Sequence, residues 1–359
     1  MSRFLSERLA ALSAYVPGEQ PKDMHKLIKL NTNESPYPPS PAVLSAVAAK
    51  DVERLRLYSD LAAQALVLAL AEDLCAESHQ IALGNGSDEV LYFAMMAFGG
   101  SGVAFADITY GFYPVWAKLL GIEERIIPLA ADFSVDAGDY IGNDRMIMIA
   151  NPNAPTGMAL DLPDIERILR NNPDQVVLVD EAYVDFGVKS AVCLIDGYDN
   201  LLVSRTFSKS RQMAGARLGF LVGSRALIED VEKIRYSINP YNVNSLTQKL
   251  GAASVRDHEY FDWARTQIIQ TRERTAKTLS QLGCTVLPSS ANFLFVNANA
   301  LSGSDYMQAL RRENILVRHF NAPRIRDFVR ITIGTDEQMD ALCAVTRSTL
   351  FPLHGGTDA

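Results

Sequence analysis

Between residues 81 and 223 the apolar positions gather in short unbroken runs, at 102–106 (Gly-Val-Ala-Phe-Ala), 145–150 (Arg-Met-Ile-Met-Ile-Ala), 175–180 (Gln-Val-Val-Leu-Val-Asp), 201–204 (Leu-Leu-Val-Ser) and 218–222 (Leu-Gly-Phe-Leu-Val). Each is too short for a helix, and none alternates with polar residues as a one-faced strand does, so each reads as a strand buried on both faces. Stretches with helical spacing lie between them, notably 88–96 and 162–169. The alternation predicts an α/β fold, a mostly parallel sheet wrapped by helices. After Pro240 the pattern changes to a long helical stretch at 245–282, short strands at 293–296 and 328–333, and a closing helix at 337–350. The expected organisation is an N-terminal arm (1–35), a large domain (36–244) and a smaller α+β domain (245–359). The arm reads as a short helix and an extended, Pro-punctuated segment (Glu34-Ser-Pro-Tyr-Pro-Pro39), and residues 355–359 are expected to fray.

A length of 359 residues agrees with one large and one small domain, and 48% hydrophobic residues with a globular chain. The net charge of −8 argues against nucleic acid and anionic membranes as partners. An apolar stretch at 61–71 is about half of the roughly 20 residues that cross a bilayer. Cys75, Cys193, Cys284 and Cys343 are scattered with no apolar leader before them, so reduced thiols in a cytoplasm are expected. The histidines at 25, 79, 258, 319 and 354 do not cluster, and no metal site is expected.

In parallel sheets ligands bind beyond the carboxyl ends of the strands, so the residues after each run are the candidates for chemistry. Lys209, in Ser204-Arg-Thr-Phe-Ser-Lys-Ser210, follows a buried strand between hydroxyls and has no apolar surface to lie along, which suits an amine placed as a nucleophile. Asp180 ends another run, where its carboxylate can face the same pocket or merely cap a turn. Leu83-Gly-Asn-Gly-Ser-Asp-Glu-Val90 places glycines and a cap at a helix start, a ready site for an anion. Glu89 stands where a dinucleotide fingerprint needs its third glycine, so one monoester phosphate is the better fit, with Ser208 and the guanidinium of Arg217 as helpers. The loop Asn151-Pro-Asn-Ala-Pro-Thr-Gly157 presents Asn153, and Tyr110 offers an aromatic face; either could be turn or core chemistry.

Together, these segments resemble the pyridoxal-phosphate-dependent aminotransferases of the aspartate aminotransferase fold, over nearly the whole chain. Lys29-Leu-Asn-Thr-Asn-Glu-Ser-Pro-Tyr37, Asn239-Pro-Tyr-Asn-Val-Asn-Ser245 and Arg330-Ile-Thr-Ile-Gly334 look like the histidinol-phosphate aminotransferase branch. The resemblance implies a homodimeric enzyme of histidine biosynthesis with pyridoxal 5'-phosphate as cofactor and a small-molecule amino donor and 2-oxo acid as partners. An aromatic amino acid aminotransferase or a threonine-phosphate decarboxylase shares every cofactor residue, and a non-catalytic sensor of this fold is a more distant reading. It further implies that Lys209 carries the cofactor covalently and moves the proton. Asp180 pairs with the pyridine nitrogen, Asn153 and Tyr183 bond the phenolic oxygen, and Tyr110 stacks on the ring. Gly86, Ser87, Asp88, Ser208 and Arg217 hold the phosphate, with Tyr58 reaching it from the other subunit. Arg330 clamps the substrate's anionic group, aided by Asn33, Tyr15 and Arg318.

Overall fold

The computed structural model describes residues 4–10, 12–15, 17–21 and 27–352. The expected fraying at 355–359 lies outside them, as do His25 and His354. The large sheet has seven strands: β1 (Ile81–Gly84), β2 (Val103–Ala106), β3 (Glu124–Ile127), β4 (Met146–Ala150), β5 (Val177–Asp180), β6 (Leu201–Thr206) and β7 (Gly219–Gly223), in the order β1-β7-β6-β5-β4-β2-β3. Strands β2 to β6 pair in parallel, whereas β7 runs antiparallel to both β1 and β6. Successive side chains of a strand point to opposite faces. Accordingly Ile147, Ile149, Val177 and Val179 join one core, and Met146, Met148 and Leu178 the core on the other side. Burial on both faces explains the absence of polar alternation in these runs.

The helices of eight residues or more are α1 (Gln64–Leu74), α2 (Ser87–Phe98), α3 (Tyr113–Leu120), α4 (Leu162–Arg170), α5 (Arg225–Ile238), α6 (Ser245–Arg256), α7 (His258–Gln281), α8 (Gly303–Arg312) and α9 (Asp336–Leu350). The single helix expected over 245–282 is two. The break falls at Asp257, whose carboxylate leaves the helical path to accept the Tyr260 N–H (3.3 Å) and cap α7. Between β5 and β6 the chain crosses on two 3₁₀ segments, Val184–Phe186 and Ala191–Gly197, rather than on an α-helix.

The last third of the chain builds an antiparallel sheet from β8 (Thr285–Val286), β9 (Phe293–Asn297), β10 (Arg318–His319) and β11 (Phe328–Thr332), in the order β10-β11-β9-β8. Ile268, Leu279, Tyr306, Leu310, Met339 and Leu342 from α7, α8 and α9 pack with its apolar residues. The arm is part of this layer. Ile28–Lys29 pairs in parallel with Ile315–Leu316, and Thr332 donates its N–H to Leu30 O (3.0 Å). This pairing carries residues 31–34 to the carboxyl edge of the large sheet. Among the described residues no helix is long and apolar enough to cross a membrane.

Candidate active site

Asp180 is the last residue of β5 and Lys209 follows β6 by three residues, so both stand at the carboxyl edge of the parallel sheet. They line one cavity of about 370 Å³ with Tyr183, Ser87, Tyr110 and Arg217. Asp180 lies opposite Ser204 in the β5–β6 register and accepts its hydroxyl (2.9 Å), the buried Tyr113 hydroxyl (2.7 Å) and the Ala182 N–H (3.3 Å). Burial pushes the Asp180 carboxyl above the usual carboxylate range, and those three hydrogen bonds pull against it. All three donors are neutral, which leaves the buried charge suited to a cationic ring N–H. The Tyr113 phenol is pushed far up by burial and by Asp180, so it stays a donor. Lys209 Nζ reaches Thr32 O (3.5 Å) and stands 5.7 Å from the centre of the Tyr183 ring.

The opposite end of the cavity is the start of α2. Gly86 has φ +85°, and a Cβ there would lie 2.5 Å from Arg217 Nη2; one on Gly219 would lie 2.3 Å from the Ser87 N. Two glycines therefore let the helix start sit directly on β7 beside Arg217, with its free N–H groups toward the cavity. Arg217 donates to Asp88 Oδ2 (2.9 Å) and approaches Ser208 Oγ at 3.5 Å. The expectation that Asp88 holds an anion is corrected for its side chain: that carboxylate accepts from both Arg217 and Tyr110 (2.7 Å) and fixes two donors, while like charge keeps it from a phosphate. Its backbone N–H remains available.

Other expected residues stand back from the cavity. Asn153 spends its Nδ2 on Ile108 O (2.9 Å) and Thr156 Oγ1 (3.1 Å), and the cavity meets its neighbours Pro152 and Ala154 instead. Asn33 donates to the Tyr183 hydroxyl (2.9 Å) and is itself held by Thr332 and Asn292, so it acts on the cavity through Tyr183. Tyr15 stacks on Phe112 at 4.0 Å. Tyr58 is 82% exposed, stacks on Tyr241 at 4.4 Å and does not line this cavity. Arg330 lies opposite Arg318 in the β10–β11 register, with Phe293 and Phe320 within 5.4 and 5.7 Å of its guanidinium. It donates to Asn31 O (3.1 Å), and its buried Nε has no partner among the described residues. Burial, aided by the charge of Arg318, lowers the pKa of Arg330. Two neighbouring guanidiniums with an unspent buried donor make a receptor for a small anion.

Tyr113, Ser204, Thr32 and Glu34 belong to the site and were not singled out by the sequence. Tyr113 lies three residues after Tyr110, but Ser204 touches Asp180 only through strand register. These features fit pyridoxal 5'-phosphate: a buried carboxylate at one end, an amine on the wall, and at the other end a glycine cradle whose Cβ positions are filled by Arg217 and the helix start.

The chain belongs to the aminotransferase class I and II family, whose model matches residues 25–345. It is 48% identical to a histidinol-phosphate aminotransferase of Bradyrhizobium diazoefficiens across 98% of this chain and the whole of that one. It is 49% identical to that of a Marinomonas species across 97% of this chain and all of the relative. Within the family it thus falls among the histidinol-phosphate aminotransferases. A solved histidinol-phosphate aminotransferase of Sinorhizobium meliloti, in complex with pyridoxal-5'-phosphate, has the same fold, with a TM-score of 0.83 over 98% of both chains at 23% identity.

Proposed function

We propose that this protein is a pyridoxal 5'-phosphate-dependent transaminase. It interconverts histidinol phosphate and imidazole-acetol phosphate, with glutamate and 2-oxoglutarate as the amino couple, in histidine biosynthesis. The observation that carries the reading is the convergence of Lys209, Asp180 and the Gly86–Ser87 helix start with Arg217 on one cavity at the carboxyl edge of the sheet. When bound, the cofactor supplies an aldehyde for amines and a ring that accepts electrons.

Lys209 would hold the cofactor through its Nζ and, once freed, would serve as the base that removes the proton from the substrate's Cα. Asp180 would pair with the cofactor's ring nitrogen and favour its protonated form, and Tyr113 and Ser204 hold Asp180 in place for this. The Tyr183 hydroxyl, aimed by Asn33, bonds the phenolic oxygen; Asn153 supports the loop beneath it. Tyr110 covers the ring. The N–H groups of Ser87 and Asp88, with Ser208 and Arg217, bind the phosphate. Arg330 and Arg318 receive the carboxylate of glutamate or the phosphate of the other substrate, and Tyr15 closes the wall beside them. The residues from 245 onward form the small domain beside the large one, with the arm paired to it. The working form is a cytoplasmic homodimer in which the exposed Tyr58 reaches the partner subunit's cofactor phosphate.

The test is a half-reaction followed by the loss of the visible absorbance of the cofactor-loaded protein, comparing histidinol phosphate, threonine phosphate and phenylalanine. Histidinol phosphate is expected to react fastest by at least tenfold in kcat/KM, about 1.4 kcal/mol. A faster reaction with phenylalanine would assign the protein to aromatic amino acids. After hydride reduction the cofactor should be found by peptide mapping on Lys209; an adduct on another lysine refutes the assignment.

A further inference from the structure

Three carboxylates line the cavity: Asp88, Asp180 and Glu34. Asp88 is occupied by Arg217 and Tyr110, and Asp180 by Tyr113, Ser204 and the Ala182 N–H. Glu34 differs. Its Oε2 accepts from both Lys29 and the Thr32 hydroxyl (2.6 Å), which fixes the side chain, while its Oε1 has no partner among the described residues. The Lys29 side chain is 9% exposed, whereas the Glu34 side chain is 43% exposed and lines the cavity. Burial pushes the Glu34 carboxyl up, but the hydrogen bonds from Lys29 and Thr32 and the charges of Lys29 and Lys209 hold it below its ordinary value. The carboxylate is thus ionised at neutral pH, immobilised, and has one oxygen free. Its place follows from the arm: Thr32, two residues before, offers its carbonyl to Lys209, and Asn31 offers its own to Arg330.

Resting on the transaminase reading above, we infer that Glu34 is a specificity-determining residue, whose free oxygen receives a ring N–H of the imidazole-bearing substrate. A substrate of that kind brings three recognisable groups to the site. The amine goes toward Lys209 and the phosphate to the Arg330–Arg318 pair; the ring N–H then needs an acceptor, and Glu34 is the lining carboxylate able to serve. Glutamate brings no such donor. Its second carboxylate is repelled by Glu34 and turns toward the arginines, so one side chain favours one substrate and disfavours the other in the same pocket. A hydrogen bond to a charged acceptor is worth roughly tenfold or more in selectivity.

The experiment compares wild type and Glu34→Gln, both loaded with cofactor, in separate half-reactions with histidinol phosphate, glutamate and phenylalanine, an aromatic amine without a ring N–H. The ratio of kcat/KM for histidinol phosphate to that for glutamate is expected to fall about tenfold or more, chiefly through KM, and the ratio to phenylalanine to fall with it. Unchanged ratios, even with lower rates overall, overturn the inference and make Glu34 a partner of Lys209 instead. Should Glu34→Gln fail to bind cofactor, Glu34→Asp decides: a shortened carboxylate that leaves both ratios unchanged overturns the inference equally. Wild type that fails to react with histidinol phosphate refutes the substrate reading itself, a result visible before any variant is compared.

Discussion

Asp180 shows how a residue acquires a role from its surroundings. The same side chain in an open loop would cap a turn, but here burial lifts its pKa while two hydroxyls and an N–H pull against that shift and fix the carboxylate at the cavity. Asp180→Asn keeps the shape and loses the charge. Its kcat is expected to fall on the order of a thousandfold, about 4 kcal/mol, with the circular dichroism unchanged; a loss within tenfold would leave Asp180 as a turn cap. The next residue behaves differently. Glu181 accepts from Ser190 and the Ala191 N–H, and burial, only partly offset by Arg205, pushes its carboxyl up to about 7. A carboxyl raised in the folded state holds a proton that the unfolded chain has lost, so stability falls as pH rises from about 4.5 toward 7. Glu181→Gln is neutral throughout that window. Its melting temperature relative to wild type is therefore expected to climb between pH 4.5 and 7 and to level off above; a gap that is constant with pH would show that Glu181 ionises freely.

At the scale of elements, the site depends on how closely α2 meets β7. A Cβ on Gly219 would lie 2.3 Å from the Ser87 N and 2.6 Å from the Gly86 carbonyl carbon, both backbone atoms that no rotamer change can clear. Gly219→Ala is expected to destabilise the fold by about 1–3 kcal/mol and to displace the helix start. The cofactor should then bind more weakly even where the protein still folds, as a titration of absorbance against cofactor concentration would show. Unaltered affinity would mean that the phosphate is held by side chains such as Arg217 and Ser208 rather than by the helix N–H groups. The helical stretch at 245–282 makes the opposite point: it reads as one stretch in the sequence, and a single capping aspartate at 257 divides it into α6 and α7.

For the whole molecule, the proposed dimer makes the strongest demand. Tyr58 is exposed, stacks on Tyr241 and does not line its own chain's cavity, and its sequence neighbours Leu55 and Leu57 are exposed as well. If each Tyr58 serves the partner's site, mixed dimers of Tyr58→Ala and Lys209→Ala subunits contain one site with both defects and one with neither. Activity should rise toward half of wild type per heterodimer, measured after the subunits are unfolded and reassembled together. Heterodimers without recovery would place Tyr58 and Lys209 in one subunit's site, and sedimentation as a monomer would remove the shared site altogether.

The sequence by itself determined five of the seven strands of the large sheet, because residues buried on both faces must be apolar without interruption, and it singled out Lys209 and Asp180 because they close or follow those runs; Ile81–Gly84 and the half-exposed Glu124–Ile127 carried no such signal. Register and approach were decided only by the tertiary structure. Ser204 meets Asp180 because β5 and β6 pair at that offset, and Tyr113 because α3 packs beneath the sheet edge. Asn153 turned inward because neighbouring carbonyl and hydroxyl groups claimed its amide. Arg318 and Arg330 came opposite each other through antiparallel pairing, and Glu34 reached the cavity because the arm pairs with Ile315–Leu316 across nearly three hundred residues of chain. Hydrophobic pattern is a local property of the chain; which polar groups find each other depends on distances that exist only after folding.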